Sequence, residues 1–326
     1  MTTAQILEGF PARSALVVGD ICLDRWCTYD PGMAEPSRET GIPRVGIVST
    51  EATPGAGGSV ANNLAALGIG RAAVLGVLGR DGYAYELTQA LNVRGILTDL
   101  LVRAEEVPTF TYSKLINART GAEDLPRVDF INIHPLPESV EQEVLGYLGE
   151  FATTFDVIFV SDQADTKCGG VVTTSVRALL EKIAEANPGK IMWADSRIRV
   201  ERFRKMILKP NEREANAASI ALFGGVDYQR LRAYADSKLI FVTKGPEGVL
   251  IVEDGTQTLV PGRPVEEPAD ISSAGDSFSA GAAVALAITG SPVEAARFGN
   301  LVASIAVTKR GTGVATPAEV LAAAGE

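Results

Sequence analysis

Short apolar runs bounded by Gly, Asp or Ser alternate with amphipathic windows along most of this chain, and that alternation restricts its fold more than any other feature. Leu16–Val18, Val74–Leu78, Val157–Val160, Ile191–Trp193 and Leu239–Val242 have the length and flanks of strands buried on both faces. Between them, Val60, Leu64 and Leu67 share one helical face, as do Val176, Leu179, Leu180 and Ile183 ahead of the stop Asn187-Pro188-Gly189. Two late helices carry their own start signals, Ser291-Pro292 with Glu294 and Thr316-Pro317 with Glu319. Parallel strands need crossover connections that cover the sheet. The order therefore predicts an α/β fold, a doubly wound, mostly parallel sheet flanked by helices.

Two stretches depart from the rhythm. Ile42–Val48, and Phe110–Ile116 with Val128–Ile133, read as strands without intervening helices, the latter two joined by the polar segment Asn117–Asp124. They predict a small antiparallel β lid, formed by segments 22–50 and 105–135, within a single domain spanning residues 1–326.

Charge and cysteine content exclude several classes of function. Lys+Arg number 30 against 40 Asp+Glu, a net charge of −10, which supplies no basic stripe for nucleic acid and no attraction to anionic membranes. No segment reaches the roughly 18 apolar residues of a membrane span, and the start MTTAQILEGF lacks a basic region followed by an apolar core. Cys22, Cys27 and Cys168 form no CxxC pair, so neither a disulfide framework nor a zinc site is expected. The expectation is a cytoplasmic protein.

The strongest chemical signal is DISSAGDSFSAG, Asp270 to Gly281, which opens a helix of small residues. Free amides and the helix dipole at such a start form an anion site. Asp276 in the first turn either stabilises the dipole or accepts the proton of an attacking hydroxyl, while the amides of Ala274 and Gly275 hold a phosphoryl group. The sole histidine, His134, lies in IHPLP beyond a lid strand, so no Ser-His-Asp catalysis is expected.

This segment resembles the carboxy-terminal signature of the PfkB, or ribokinase-like, carbohydrate kinases, D-T-x-G-A-G-D. Asp270, Ala274, Gly275 and Asp276 match, and Ser273 stands where the family has glycine. If that position requires φ > 0, serine costs on the order of 1 kcal/mol; otherwise its amide still donates. The resemblance covers nearly the whole chain and implies ATP and Mg²⁺ as cofactors. It leaves a monovalent cation open. Asn211 and Glu214 resemble the N-x-x-E motif that organises magnesium and its waters, although the same pair also describes an ordinary helix cap. Thr243, Gly245 and Gly248 resemble the turn that lines the nucleotide, and Asn300 with the loop Gly311–Gly313 the border of the adenine.

On the sugar side, Asp24 in GDICLD resembles the hydroxyl-binding aspartate on the family's first strand. Gly57, Gly58, Ser59 and Asn63 resemble the glycine turn and helix that reach the sugar, with Ser59 where asparagine is common. Several segments, LVVGDICLDRW, PSRETGIPRV, VPTFTYSKL, the RVDF from Arg127, and VIFVSD, are similar to kinases of D-glycero-D-manno-heptose 7-phosphate. That similarity implies Arg38 and Arg44 as phosphate ligands, and Lys167 as the displaced lysine of a Lys-Gly step. It implies an ATP-dependent sugar kinase acting on that heptose phosphate. Ser59 keeps open another sugar or a nucleoside, and Ser59 with Ser273 a catalytically silent sugar- or nucleotide-binding protein. The bifunctional heptose enzymes continue into a nucleotidyltransferase domain, whereas this chain ends soon after Glu319, so a separate kinase is expected. Open lid edges predict a homodimer paired through the lid.

Overall fold

The computed structural model describes residues 1–326. Its strands are β1 (Ser14–Gly19), β2 (Ile21–Tyr29), β3 (Ile47–Ala56), β4 (Arg71–Gly79), β5 (Leu97–Ala104), β6 (Thr111–Asn117) and β7 (Val128–Phe130), followed by β8 (Val157–Asp162), β9 (Ile191–Ser196), β10 (Ile207–Leu208), β11 (Ile240–Thr243), β12 (Gly248–Glu253) and β13 (Thr256–Pro261). Its helices are α1 (Thr3–Gly9), α2 (Gly57–Ala66), α3 (Gly82–Asn92), α4 (Glu138–Phe151) and α5 (Thr174–Ala186), then α6 (Glu212–Phe223), α7 (Tyr228–Tyr234), α8 (Ala274–Thr289), α9 (Pro292–Ala306) and α10 (Pro317–Ala324).

Nine strands form the main sheet in the order β13-β12-β11-β10-β9-β8-β1-β4-β5, parallel from β11 to β5 and antiparallel only at the β11–β12–β13 edge. Alternation along β1 explains why both faces need helices. Val17 joins a core with residues of α1, α2, α3, α8 and α9, while Leu16 and Val18 join a second core with residues of α4 to α7. The predicted doubly wound α/β architecture is the one observed.

A second sheet has the order β3-β2-β6-β7. It differs from the expected lid in three ways. β2 pairs with β6 in parallel, so the sheet is mixed. The strand expected at Ile42–Val48 instead runs Ile47–Ala56, and Ile42 to Gly46 form a loop pinned by one bridge, Pro36 to Pro43. Apolar content misled there: Ile42 and Val45 are exposed, whereas the polar stretch SerThrGluAlaThrPro pairs along β2 as an edge strand, the one place a sheet tolerates Pro54. The strand expected over Val128–Ile133 stops at Phe130.

Candidate active site

A cavity of about 750 Å³ opens between the two sheets, at the carboxyl ends of the parallel strands, and the start of α8 forms its floor. Asp270 winds the chain into that helix, its carboxylate accepting the Ser272 amide at 2.8 Å. Ser273 follows at φ −107° and ψ 12°, a conformation open to any residue, so the serine replaces glycine without backbone strain. The Ala274 amide donates to Ile271 O at 3.2 Å. That bond corrects the expectation that Ala274 offers a free donor; the turn before the helix has already engaged it. Gly275 faces the cavity, and a Cβ there would lie 3.1 Å from Lys209 Nζ.

Asp276 points into the cavity beside this lysine. Burial is the main cause that pushes its pKa up to about 7; Asp195 adds to the rise, and Lys209 opposes it. Ser59 approaches the carboxylate and lowers the pKa somewhat, but its buried hydroxyl does not reach full hydrogen-bond geometry with any partner. Lys209 is 4% exposed and binds Asp195 at 2.6 Å. Burial works against its charge, yet the carboxylates of Asp195 and Glu214 carry its pKa above the ordinary lysine value. Glu214 is itself shifted upward, chiefly by burial and then by Asp195.

At one end of the cavity, the two-residue period of the second sheet gathers a polar wall. Asp24 and Trp26 alternate along β2 opposite Tyr112 and Lys114 of β6, and all four side chains line the cavity. Asp24 lies against Gly55, where any Cβ would meet its carboxylate at 2.5 Å, so only glycine lets the acid sit there. Burial raises the Asp24 pKa to about 6 against the lowering influence of Lys114, Arg127 and Arg197. Lys114 reaches the loop ahead of α8, 3.3 Å from Ser272 Oγ and 3.7 Å from Asp270. With the Thr312–Thr53 hydroxyl contact at 2.6 Å, it ties the second sheet to the body.

The other end is lined by Asn211, Thr243, Gly245 and Asn300, whose amide donates to Pro261 O at 3.0 Å. Gly248 stands behind this wall, buried and outside the lining, where a Cβ would strike Val260 O at 2.2 Å. Asn211 caps α6 in a reciprocal box: its Oδ1 accepts the Glu214 amide at 2.9 Å, and Glu214 Oε2 accepts the Asn211 amide at 2.8 Å. Capping and cavity lining therefore coexist. The Glu214 Oε1 atom and the second oxygen of Asp195 accept no hydrogen bond from the protein, and both residues line the cavity. Two hard oxygen donors with free lone pairs fit a divalent ion that keeps most of its waters; no group of three His, Cys, Asp or Glu side chains forms a cage.

Several expected residues lie elsewhere. Arg38 is exposed and outside the cavity lining, and Arg44 is turned to Glu35 at 3.1 Å; both ride on the irregular segment ahead of β3. Lys167 is exposed and also outside the lining. Asn63 is fully buried within α2, its amide donating to Ser59 O at 2.9 Å. Gly57 and Gly58 pack α2 against Ile21 and Pro54, each with a would-be Cβ contact of 2.8 Å, and Ala56 lines the cavity in their place. Asp24 sits on β2 of the second sheet rather than on the first strand. His134 is exposed and away from the site; Cys22 and Cys27 are buried free thiols and Cys168 an exposed one.

The cavity also contains residues that sequence reasoning did not select: Asp195, Lys209, Lys114, Arg127 and Arg197. Asp195 ends β9, and an acid at the carboxyl end of a parallel strand was the available signal. Lys209 stood next to a flagged motif.

Comparison with known proteins agrees with this geometry. The family model described as pfkB family carbohydrate kinase matches residues 14–319. The chain is 30% identical over 315 residues to a protein named bifunctional protein HldE from Trichlorobacter lovleyi, and 31% identical over 320 residues to its namesake from Geobacter metallireducens. These alignments cover 94% and 96% of this chain, and the chain spans 62% and 63% of the length of those relatives. Among solved structures, ribokinase from Thermotoga maritima superposes with a TM-score of 0.70 at 22% identity, covering 96% of this chain and 100% of that one. Arabidopsis thaliana ribokinase complexed with ribose and ATP also gives 0.70, at 18% identity, covering 96% and 99%. The family match spans both walls of the cavity and the helix between them, and the chain belongs to the pfkB family of carbohydrate kinases.

Proposed function

We propose that the chain transfers the γ-phosphoryl group of ATP to a hydroxyl of D-glycero-D-manno-heptose 7-phosphate, with Asp276 as the general base. One observation carries this reading: Asp276 stands at the amino end of α8, in the same cavity as Asp24 on one side and Asn211 and Thr243 on the other. A base whose pKa lies near 7 can both hold and release a proton at neutral pH. Asp276 takes the proton of the attacking hydroxyl. Asp24 accepts hydrogen bonds from other sugar hydroxyls and orients the ring. The Gly275 amide and the Lys209 ammonium meet the charge of the transferring group, the electrostatic part of phosphoryl transfer. Magnesium, when bound, would neutralise phosphate charge and be held through water by Glu214, Asn211 and Asp195.

The second sheet serves as a lid that keeps water from the phosphoryl group, anchored through Lys114 and Thr53. Its strands carry exposed Ile47, Val48 and Val128, which supports a homodimer closed through the lid. Reduced cysteines and ATP as substrate accord with a cytoplasmic enzyme, and no helix is long and apolar enough to cross a membrane. The heptose assignment is supported by the similarity of GDICLD, RVDF and VIFVSD to heptose kinases and by the relatives named HldE. ADP release measured across free and phosphorylated sugars and nucleosides tests it. Heptose 7-phosphate should give the highest kcat/KM; preference for a nucleoside or an unphosphorylated sugar would overturn the substrate, and no sugar-dependent ADP release at all would overturn the kinase.

A further inference from the structure

The sugar end of the cavity carries more positive charge than an uncharged sugar would use. Lys114, Arg127 and Arg197 line it against the single carboxylate of Asp24, in a chain whose net charge is −10. The two arginines are exposed toward the cavity, but each is tethered by an acidic partner. Arg127 lies with its guanidinium carbon 5.0 Å over the ring of Tyr112, and its Nε and one terminal nitrogen donate to Asp129 at 2.7 Å each. Arg197 donates to Asp165 at 2.9 Å. Asp129 and Asp165 stand behind the arginines, outside the cavity lining. These bonds orient the two forks and leave Nη1 of Arg127, and Nε and Nη2 of Arg197, without any protein acceptor. The hydroxyl of Tyr112, which lines the same cavity, has none either, and burial, the main influence, holds its pKa well above the usual phenol value, so it stays a donor.

The loop that carries Asp165 is fixed from below by a buried network. The Asp20 carboxylate accepts the amides of Gln163, Ala164 and Val171 at 2.8 Å each. Arg199 forks onto Asp162 at 2.6 and 3.0 Å and donates to the carbonyls of Ala164 and Thr166. Idle guanidinium donors held at fixed angles suit a planar or tetrahedral oxyanion, which accepts forked hydrogen bonds.

We infer that Arg127 and Arg197 form the subsite for a phosphate the sugar already carries, at the end of the cavity away from Thr243 and Asn300. This inference rests on the sugar-kinase reading and deepens it by naming the two side chains that select a phosphorylated acceptor. The lid-loop residues Arg38 and Arg44 have no part in it.

The test compares binding of phosphorylated and dephosphorylated partners by calorimetry, with turnover measured separately. The probes are D-glycero-D-manno-heptose 7-phosphate, D-sedoheptulose 7-phosphate and D-mannose 6-phosphate, each with its free sugar. At least one phosphate should bind wild-type protein tenfold or more tightly than its free sugar. Arg197→Met and Arg127→Met should each remove most of that preference while ATP affinity changes less than twofold. Arg197→Lys, which keeps the charge and loses the fork, should fall between and serves if a methionine variant does not fold. Equal loss for phosphate and free sugar, or no preference in wild type for any of the three pairs, would overturn the subsite. Retained preference with no ADP release would leave the subsite standing and sink the kinase reading instead.

Discussion

The Lys209 ammonium lies 2.6 Å from an Asp195 carboxylate oxygen, and this buried pair sits against the amino end of the helix that presents Asp276. Its two members act on Asp276 in opposite senses, Asp195 raising its pKa and Lys209 lowering it. A buried cation held by one carboxylate beside a reactive acid tunes that acid and also meets an incoming oxyanion.

Replacing Asp276 with Asn separates chemistry from stability. Turnover should fall at least about a hundredfold if proton transfer contributes as usual, with ATP affinity retained. The sign of the stability change follows from the raised pKa. The unfolded carboxyl ionises near 4 and the folded one near 7, so protein stability falls as pH rises through that interval and stays low above it. At pH 8, Asp276→Asn should therefore be more stable than wild type by ~1–3 kcal/mol, read as a higher Tm. Equal or lower Tm at pH 8, with unchanged Tm at pH 4, would contradict the burial of an acid at this position.

The same pKa sets the pH profile. The base must be ionised, so kcat/KM should rise with pH, reach half its maximum near pH 7 and level off above it. Asp195→Asn removes a raising influence and should move the acid limb to lower pH; Lys209→Met removes a lowering influence and should move it higher. Shifts in the reverse order would mean that another group controls the limb.

Gly55→Ala tests the placement of Asp24. The added Cβ would meet the carboxylate at 2.5 Å and force it aside. KM for the sugar substrate should rise at least about tenfold, the scale of a lost charged hydrogen bond, while KM for ATP stays within about twofold. A matched rise in both constants would point to general unfolding of the second sheet.

Ser273→Gly should do little. The serine occupies φ −107°, so glycine relieves no strain, and only the backbone freedom of glycine enters, about 0.5–1 kcal/mol of stability. Activity within about threefold of wild type is expected. A large gain in activity would mean that the serine impairs the site, as the reading of a silent binding protein requires.

Asp276 and Asp24 were legible because each lies in a short motif whose residue types have a chemical reason to be together. So were the parallel strands, whose continuous apolar runs reflect burial on both faces. The lid was legible only in outline: Ile42 and Val45 look like strand residues but are exposed on a loop, while polar β3 needs no apolar pattern because it pairs at an edge. Lys209, Asp195 and Arg197 come together through pairing of β8, β9 and β10, register that no local spacing encodes. Arg38 and Arg44 had the right chemistry in the wrong place. Lys167 failed likewise, since the residues between Asp162 and Gly169 turn it outward and leave the cavity wall to Arg197.

The most direct measurement is a crystal structure of the protein with heptose 7-phosphate and a non-hydrolysable ATP analogue. The account predicts one sugar hydroxyl within about 3 Å of an Asp276 carboxylate oxygen, in line with the terminal phosphorus. A sugar bound with every hydroxyl beyond reach of Asp276, or a nucleotide whose terminal phosphate lies away from Gly275 and Lys209, would contradict it.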